Sequence, residues 1–222
     1  MRKDYRKKGY LRWSGAALLL LLTLTSSAPE MRAWRTFRYQ EGTYQPTTIS
    51  EITSITSHPP NCPPLPYPKS WDIFDTVYTD ITGNGSPECV LLVWRPWEDW
   101  PIRPWLQGPS PISANRDADG YSAHIILVVP TERGYRELWA GSALSDPLLA
   151  IAIGDVDGDG RAELIALEGD YYTGRTGPAH HVTVWRWNGF GFTLQWRSPP
   201  GRFTALQLHT CAAHPHPIIL VR

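Results

Sequence analysis

Short runs of apolar and β-branched residues alternate with turn segments rich in Gly, Pro and Asp along most of the chain. Runs of about four to eight such residues between Gly-containing turns predict strands rather than helices. Three pairs of runs are each joined by a longer polar loop, which predicts three strand–loop–strand units. These units are Ile73–Tyr78 with Cys89–Trp94, Leu148–Ile153 with Leu164–Leu167, and Phe203–Leu208 with Pro217–Val221.

Three further pairs of runs are joined by short turns and predict β-hairpins. The clearest turn is Asn188-Gly189, because this dipeptide readily accepts the positive φ of a two-residue hairpin loop. The predicted hairpins are Thr36–Tyr39 with Gly42–Tyr44, Ile125–Val129 with Tyr135–Trp139, and His181–Trp187 with Phe190–Trp196.

Hairpins and strand–loop–strand units alternate along the chain. This alternation predicts an all-β, propeller-like array of about three four-stranded antiparallel blades. The N-terminal hairpin and the C-terminal strands could complete one blade together and so close the array. Closed propellers usually have about four to eight blades. The sequence therefore leaves open an open stack of sheets, self-association, or a reduced form of a longer array.

Composition shifts divide the chain into six segments. The predicted segments are 1–28 as a signal peptide or signal anchor, 29–57 as the N-terminal β-hairpin, 58–70 as a Pro-rich linker, 71–145 as the first repeat with a Trp- and Pro-rich insertion at 94–120, 146–200 as the second repeat, and 201–222 as a degenerate third repeat.

The N-terminus has the three parts of a secretory signal. A basic stretch, Met1–Arg12, precedes the apolar run Gly15–Leu24 and the small residues Thr25–Ala28. The apolar run is shorter than the ~20 residues that cross a bilayer. Pro29 is unfavourable for cleavage, which leaves an uncleaved anchor open. We therefore expect a secreted or extracytoplasmic protein, held at a membrane only if this anchor remains.

Export implies an oxidising compartment, in which cysteines can pair. The chain has three cysteines, an odd number that leaves one unpaired or shared between chains. Cys89 precedes a Val-Leu-Leu-Val run and is expected to be a small core residue. The pair that the sequence favours is therefore Cys62–Cys211.

The charge balance bears on the class of partner. The chain holds 21 basic and 21 acidic residues, but outside residues 1–28 the count is 15 basic against 20 acidic. A mildly acidic body argues against nucleic-acid binding, which needs a basic face. Charged residues make up 19% of the chain, and it holds 11 Trp, so a disordered acidic chain is excluded.

Two polar loops of the strand–loop–strand units align without gaps at an offset of 75 residues, from Asp80 to Asp155. In the second loop Asp155, Asp157 and Asp159 alternate with other residues, and three crowded carboxylates repel one another unless a cation lies among them. With the backbone carbonyl of Arg161 at position 7 and Glu163 at position 9, the oxygen ligands suit Ca²⁺. This is not an EF-hand, because position 12 is Ala rather than Glu.

The first loop offers a weaker set of oxygen ligands at the same spacing. It supplies two carboxylates, one hydroxyl, one amide and one backbone carbonyl. The candidate ligands are Asp80, Thr82, Asn84, Ser86 and Glu88, with Ser86 contributing its carbonyl. Since calcium affinity rises with ligand charge, we expect tighter binding in the 155–163 loop.

The segment Gly154-Asp-Val-Asp-Gly-Asp-Gly-Arg-Ala-Glu-Leu164 resembles the FG-GAP/VCBS repeat of integrin-α-type β-propellers and of many secreted bacterial proteins. By this resemblance the three aspartates and Glu163 are calcium ligands, and Asp80–Glu88 is a diverged copy in which Thr82 replaces an acid. Members of the family mostly bind or adhere, so the resemblance implies a fold, a metal and no reaction.

The Trp-rich insertion and the C-terminal histidines are the remaining candidates for chemistry. Trp97, Trp100 and Trp105 predict either a lid packed on a sheet or a ligand platform, for example for sugar. His209, His214 and His216 could bind a transition metal, but lie in the degenerate repeat between prolines.

No nucleophile lies in a G-x-S-x-G elbow, which argues against a hydrolase of that type. We therefore expect a non-catalytic binding, adhesion or structural module whose partner is an extracellular protein or a glycan. The alternative is a carbohydrate-binding or hydrolytic protein that uses the Trp-rich insertion.

Overall fold

The computed structural model of the protein describes residues 34–48, 60–101, 103–105, 107–210 and 214–222. The predicted signal or anchor at 1–28 lies outside these ranges, as does much of the N-terminal segment 29–57. Within the described ranges the chain is all-β, as predicted, and its one helical element is the 3-10 turn Arg103–Trp105. The described part of the chain contains no helix capable of spanning a bilayer.

Twelve strands account for the regular structure. They are β1 (Arg35–Gln40), β2 (Thr43–Thr47), β3 (Asp72–Thr79), β4 (Glu88–Pro96), β5 (Tyr121–Thr131), β6 (Gly134–Ala140), β7 (Leu148–Gly154), β8 (Glu163–Glu168), β9 (His181–Trp187), β10 (Phe192–Arg197), β11 (Leu206–His209) and β12 (Ile218–Val221).

Every predicted strand–loop–strand unit and hairpin is present, with shifts at the ends of the strands. Strand β11 begins at Leu206 rather than at Phe203, because Phe203 forms an isolated bridge with Ala179 instead.

The strands form three four-stranded antiparallel sheets. In the strand orders given below, adjacent strands are hydrogen-bonded to each other. Sheet I has the order β3-β4-β5-β6, sheet II the order β7-β8-β9-β10, and sheet III the order β11-β12-β1-β2. In sheet III, β1 pairs with β12 so that Thr36 lies opposite Leu220 and Phe37 opposite Ile219. The prediction that the N-terminal hairpin and the last unit share one sheet is therefore confirmed.

Two apolar layers join the sheets, with sheet II in the middle. One layer packs Val77 and Leu92 of sheet I against Ile153 and Leu164 of sheet II. The other packs Ile165 and Val184 of sheet II against residues of sheet III, among them Ile219. Full burial of one such side chain contributes about 1.5–3 kcal/mol. The described residues show no closed barrel, and the propeller-like arrangement stays a prediction.

The Pro-rich segment is packed over the outer face of sheet I. That face contains Leu91, Val93 and Ile126 of β4 and β5, and the covering side chains are Cys62, Leu65, Tyr67 and Trp71. The backbone N–H of Tyr78 also donates to the carbonyl of Pro60 at 2.9 Å. A segment expected from its prolines to be a spacer therefore also serves as a cover for apolar side chains.

A disulfide fastens this cover to the sheet. Cys62 is bonded to Cys89 of β4, with a Cα–Cα distance of 5.5 Å. The Cys62–Cys211 pairing favoured by the sequence is therefore wrong. The expectation that Cys89 is buried in the core is confirmed, but the return of the Pro-rich segment over β4 brings Cys62 to it. Cys211 lies outside the described residues.

Replacing both partners, Cys62→Ala with Cys89→Ala, is expected to lower the free energy of unfolding by about 3 kcal/mol. The physical reason is the lost constraint on the unfolded chain, since the disulfide spans a sequence separation of 27 residues. Urea denaturation of the oxidised proteins measures the change. The control, Cys211→Ala, should leave the midpoint unchanged, and a comparable loss in that control would contradict the pairing.

Candidate metal centre

The candidate site is the loop from Asp155 to Ala162, which joins two neighbouring strands of sheet II, β7 and β8. Its tight curl requires glycine at two positions, since Gly158 and Gly160 have φ angles of 81° and 85°. At position 158 space is also restricted, because a Cβ there would lie 2.2 Å from the ring of His216. The loop is thus held against the last strand–loop–strand unit of the chain.

Aspartate side chains build the curl by accepting backbone N–H groups. Both oxygens of Asp155 are used, Oδ1 by the N–H of Gly158 at 2.6 Å and Oδ2 by that of Gly160 at 3.0 Å. Asp157 Oδ1 accepts the N–H of Asp159 at 3.1 Å, and Asp159 Oδ1 that of Arg161 at 2.9 Å. Such bonds to the backbone two or more residues ahead are how Asp stabilises turns.

The three aspartates converge as the sequence predicts. Asp155, Asp157 and Asp159 can each direct one carboxylate oxygen so that the three oxygens lie within 4.8 Å of one another. Within the described ranges this is the one group of at least three His, Cys, Asp or Glu residues placed to hold an ion together. His209, His214 and His216 are not part of this group.

Glu163 is the first residue of β8 and directly follows the loop. Its side chain is 0% exposed, and Oε2 accepts the N–H of Val156 at 3.1 Å. Burial raises the pKa of the Glu163 carboxyl to about 7, although the hydrogen bonds from Arg186 and from the Val156 N–H oppose the shift. A buried carboxylate of this kind needs a positive partner to remain ionised.

That partner is Arg186 of β9, which sequence reasoning missed. Its guanidinium lies 3.1 Å from Asp159 Oδ2 and 3.0 Å from Glu163 Oε1, and it is also paired with Asp157. The pairing of Leu164 with Trp185 places Arg186 across from Glu163 on the neighbouring strand. Only the register between β8 and β9 reveals this contact, because Glu163 and Arg186 are 23 positions apart in the sequence.

The first loop, between β3 and β4, repeats the same backbone scaffold. Asp80 accepts the N–H groups of Gly83 at 2.7 Å, Asn84 at 3.1 Å and Gly85 at 2.7 Å. Glu88 Oε2 accepts the N–H of Ile81 at 3.2 Å, as Glu163 accepts that of the corresponding Val156. The alignment of the two loops in the sequence thus corresponds to matching hydrogen bonds.

The two loops differ in what neutralises the glutamate. In the first loop Glu88 Oε1 accepts the Thr82 hydroxyl at 3.0 Å and the Asn84 amide at 2.9 Å. The pairing of Cys89 with Val128 puts Val129 in the place that Arg186 has in sheet II. Neutral donors therefore replace the cation. The Asn84 amide oxygen accepts the N–H of Ser86 at 2.8 Å, and a metal at this loop stays a prediction.

The three candidate platform tryptophans, Trp97, Trp100 and Trp105, are dispersed, and no ring contact joins any two of them within the described residues. The Nε1–H of Trp97 donates to the Ile112 carbonyl at 2.9 Å, and Arg116 lies 4.7 Å from the centre of its ring. Trp100 is half-buried, whereas Trp105 is 85% exposed on the 3-10 turn. A sugar platform on these residues stays a prediction.

A different aromatic group lies between sheets I and II and was not predicted. Trp139, Trp187 and Phe192 meet edge to face, with ring centres 5.4 to 5.6 Å apart. Trp139 and Phe192 border a groove of about 520 Å³ that also includes the exposed ring of Phe190. The sequence signal for this group is the aromatic content of the predicted hairpins, which by itself indicates strands and not a contact between sheets.

A buried serine–histidine pair belongs to the core of sheet I. His124 Nδ1 lies 2.9 Å from the Gly141 carbonyl, and its Nε2 lies 2.8 Å from the Ser122 hydroxyl. Since the carbonyl can only accept, Nδ1 carries the proton and Nε2 accepts from the hydroxyl. Ser122 is 0% exposed, so the pair satisfies buried polar atoms rather than facing solvent. Burial lowers the pKa of His124 to about 4.

Comparison of the chain with protein-family models, with curated proteins and with solved structures gives no match. The resemblance to FG-GAP/VCBS repeats therefore stays an expectation from the loop residues.

His124 is expected to make stability fall as the pH drops from 6.5 to 4. In this window the unfolded chain binds a proton at His124, while the folded chain, with its lowered pKa, does not. The loss approaches about 1.4 kcal/mol per pH unit. Urea midpoints across this range should fall less steeply for His124→Gln than for the unmodified protein. Parallel curves for the two proteins would rule out this role of His124.

Proposed function

We propose that this chain is an exported, calcium-binding β-repeat protein with a propeller-like arrangement, acting as a non-catalytic binding, adhesion or structural module. The observation that carries the proposal is the convergence of three aspartates in a loop between two paired strands, within 4.8 Å of one another. Its partner would be an extracellular protein or a glycan, and self-association remains part of the proposal.

The order of the strands supports the propeller-like arrangement. Each sheet runs from one edge to the other starting with β3, β7 or β11, and β7 contacts both β3 and β11. The Asp75 carboxylate of β3 accepts the N–H of Ile151 of β7 at 3.1 Å, which links two of these edges directly. Neighbouring first strands and a last sheet completed by the N-terminal hairpin are features that propellers share.

The donor set of the 155–163 loop fits calcium. Asp155, Asp157, Asp159 and Glu163, with the carbonyl of Arg161, would hold the ion, and they offer the hard oxygen atoms that Ca²⁺ prefers. Bound there, the ion supplies positive charge among crowded carboxylates. The described cluster contains no sulfur or imidazole ligand, which disfavours zinc.

Order in the loop is coupled to the core. Val156, between two of the aspartates, is buried in the layer that joins sheets II and III. Its N–H also donates to Glu163 at 3.1 Å, so the carboxylate and the apolar contact restrain the same residue. A cation that stabilises the loop would therefore stabilise the packing of sheet II on sheet III. This coupling supports a structural role for calcium.

Calcium at tenfold over its dissociation constant should raise the melting temperature by about 3–6 °C. The bound ion stabilises by about 1.4 kcal/mol at that ratio, and each kcal/mol shifts melting by about 2–4 °C in a protein of this size. Asp157→Asn should lose most of the gain, whereas Asp119→Asn, in an exposed turn outside the loop, should keep it. Differential scanning calorimetry measures the shifts. Equal melting in calcium and in chelator would refute a structural role for calcium.

The exposure of Trp105 favours a second candidate function, carbohydrate binding at the insertion. An exposed ring can stack on a sugar face. For any glycan that array screening identifies as a ligand, Trp105→Ala should therefore lower the binding affinity by tenfold or more. Phe190→Ala is the matched control, because its ring is likewise exposed but lies on another hairpin. If Trp105→Ala retained full binding, the insertion would not be the platform.

A further inference from the structure

The carboxylate oxygens of the 155–163 loop divide into two groups according to their partners. Five accept backbone N–H groups: both oxygens of Asp155 and one each of Asp157, Asp159 and Glu163. The other three are Asp157 Oδ2, Asp159 Oδ2 and Glu163 Oε1, and all three contact the guanidinium of Arg186. Arg186 thus contacts every carboxylate oxygen of the loop that accepts no backbone N–H group.

We propose that Arg186 is a tethered counter-ion that competes with the metal for these oxygens and so sets the calcium affinity of the loop. The inference rests on the proposed function, since it concerns the same site. When calcium is scarce, Arg186 neutralises the loop and keeps it folded. When calcium binds, Arg186 leaves the carboxylates.

The internal repeat supports a specific match between Arg186 and the extra acids. The first loop has the same backbone hydrogen bonds but carries Thr82 and Asn84 where the second has Asp157 and Asp159. In the first loop Val129 occupies the position of Arg186. The two additional carboxylates and the arginine therefore occur together in one loop and are both missing from the other. The negative charge of each loop and the charge of the residue opposite its glutamate thus change together.

Electrostatics opposes simultaneous binding of the arginine and the metal. The guanidinium contacts Asp157, Asp159 and Glu163, and these are also the residues that would hold the ion. A divalent cation among the same oxygens would lie within a few ångströms of a positive group, and like charges at such distances repel strongly. Calcium takes six to eight oxygens, and the three that Arg186 contacts are the carboxylate oxygens of the loop that accept no backbone N–H group.

Arg186 has room to leave without disturbing β9. Its side chain is 28% exposed, so the guanidinium already borders solvent. Its backbone pairs with Thr193 of β10, and rotation of the side chain does not alter that pairing. Release of the arginine therefore needs a rotamer change rather than unfolding of the strand.

Calcium titration of the full chain by calorimetry tests the proposal, with Arg186→Met as the main variant. This change removes the charge and keeps the length of the side chain, so calcium should bind at least about tenfold more tightly than in the unmodified protein. Arg197→Met is the matched control. Arg197 lies on the neighbouring strand β10 and pairs with Glu168 and with Asp146, outside the loop. Its replacement should leave calcium affinity unchanged.

Melting in calcium and in chelator gives a second measurement. Arg186→Met should melt below the unmodified protein in chelator and should gain more from calcium. Arg186→Lys covers the case in which the methionine variant fails to fold, since it keeps the charge. A lysine ammonium cannot match the forked guanidinium across three carboxylates. This variant should therefore show a smaller but measurable gain in calcium affinity.

The possible results distinguish competition by Arg186 from calcium binding itself. Calcium binding by the unmodified protein with no gain in Arg186→Met, or in Arg186→Lys if the first does not fold, would overturn the competition and leave calcium binding intact. Binding only after Arg186 is replaced would support the competition and overturn calcium as a native ligand. Absence of binding in all the variants would overturn both.

Discussion

The arrangement of sheet II depends on how four carboxylates at one turn are neutralised. Glu163 is buried beneath three aspartates, and an ionised carboxylate in that position is unfavourable without hydrogen bonds and a positive partner. Backbone N–H groups and Arg186 supply both. Because Val156 in the same turn packs into the layer against sheet III, the electrostatics of the loop and the apolar packing of the sheets are parts of one constraint.

The two loops show that one backbone scaffold accepts two solutions to this constraint. Asp80 and Glu88 make the same kinds of bonds to the backbone as Asp155 and Glu163 do. The first loop then removes charge and closes itself with neutral donors, whereas the second keeps its charge and recruits a cation. A fold built from repeats can thus keep the backbone geometry of a loop while its glutamate is paired with an arginine in one copy and with neutral donors in the other.

Segments outside the two aligned loops also contribute to the packing of the sheets. The outer face of sheet I would expose a row of apolar side chains if the Pro-rich segment were not packed on it and held by the Cys62–Cys89 disulfide. At the other end, β1 pairs with β12 and completes sheet III from both ends of the described chain. Both contacts join segments that are far apart in the sequence.

The sequence alone determined the local features of this protein. Apolar runs located the strands, Asn188-Gly189 marked a hairpin, and the Asp and Gly spacing identified both loops, because each of these signals acts over a few neighbouring residues. The tertiary structure alone decided the contacts made across strands and sheets. Arg186 reached Glu163 through the β8–β9 register, and Cys62 reached Cys89 rather than Cys211 through the path of the Pro-rich segment. Such partners depend on how distant segments pack, and no local pattern records that.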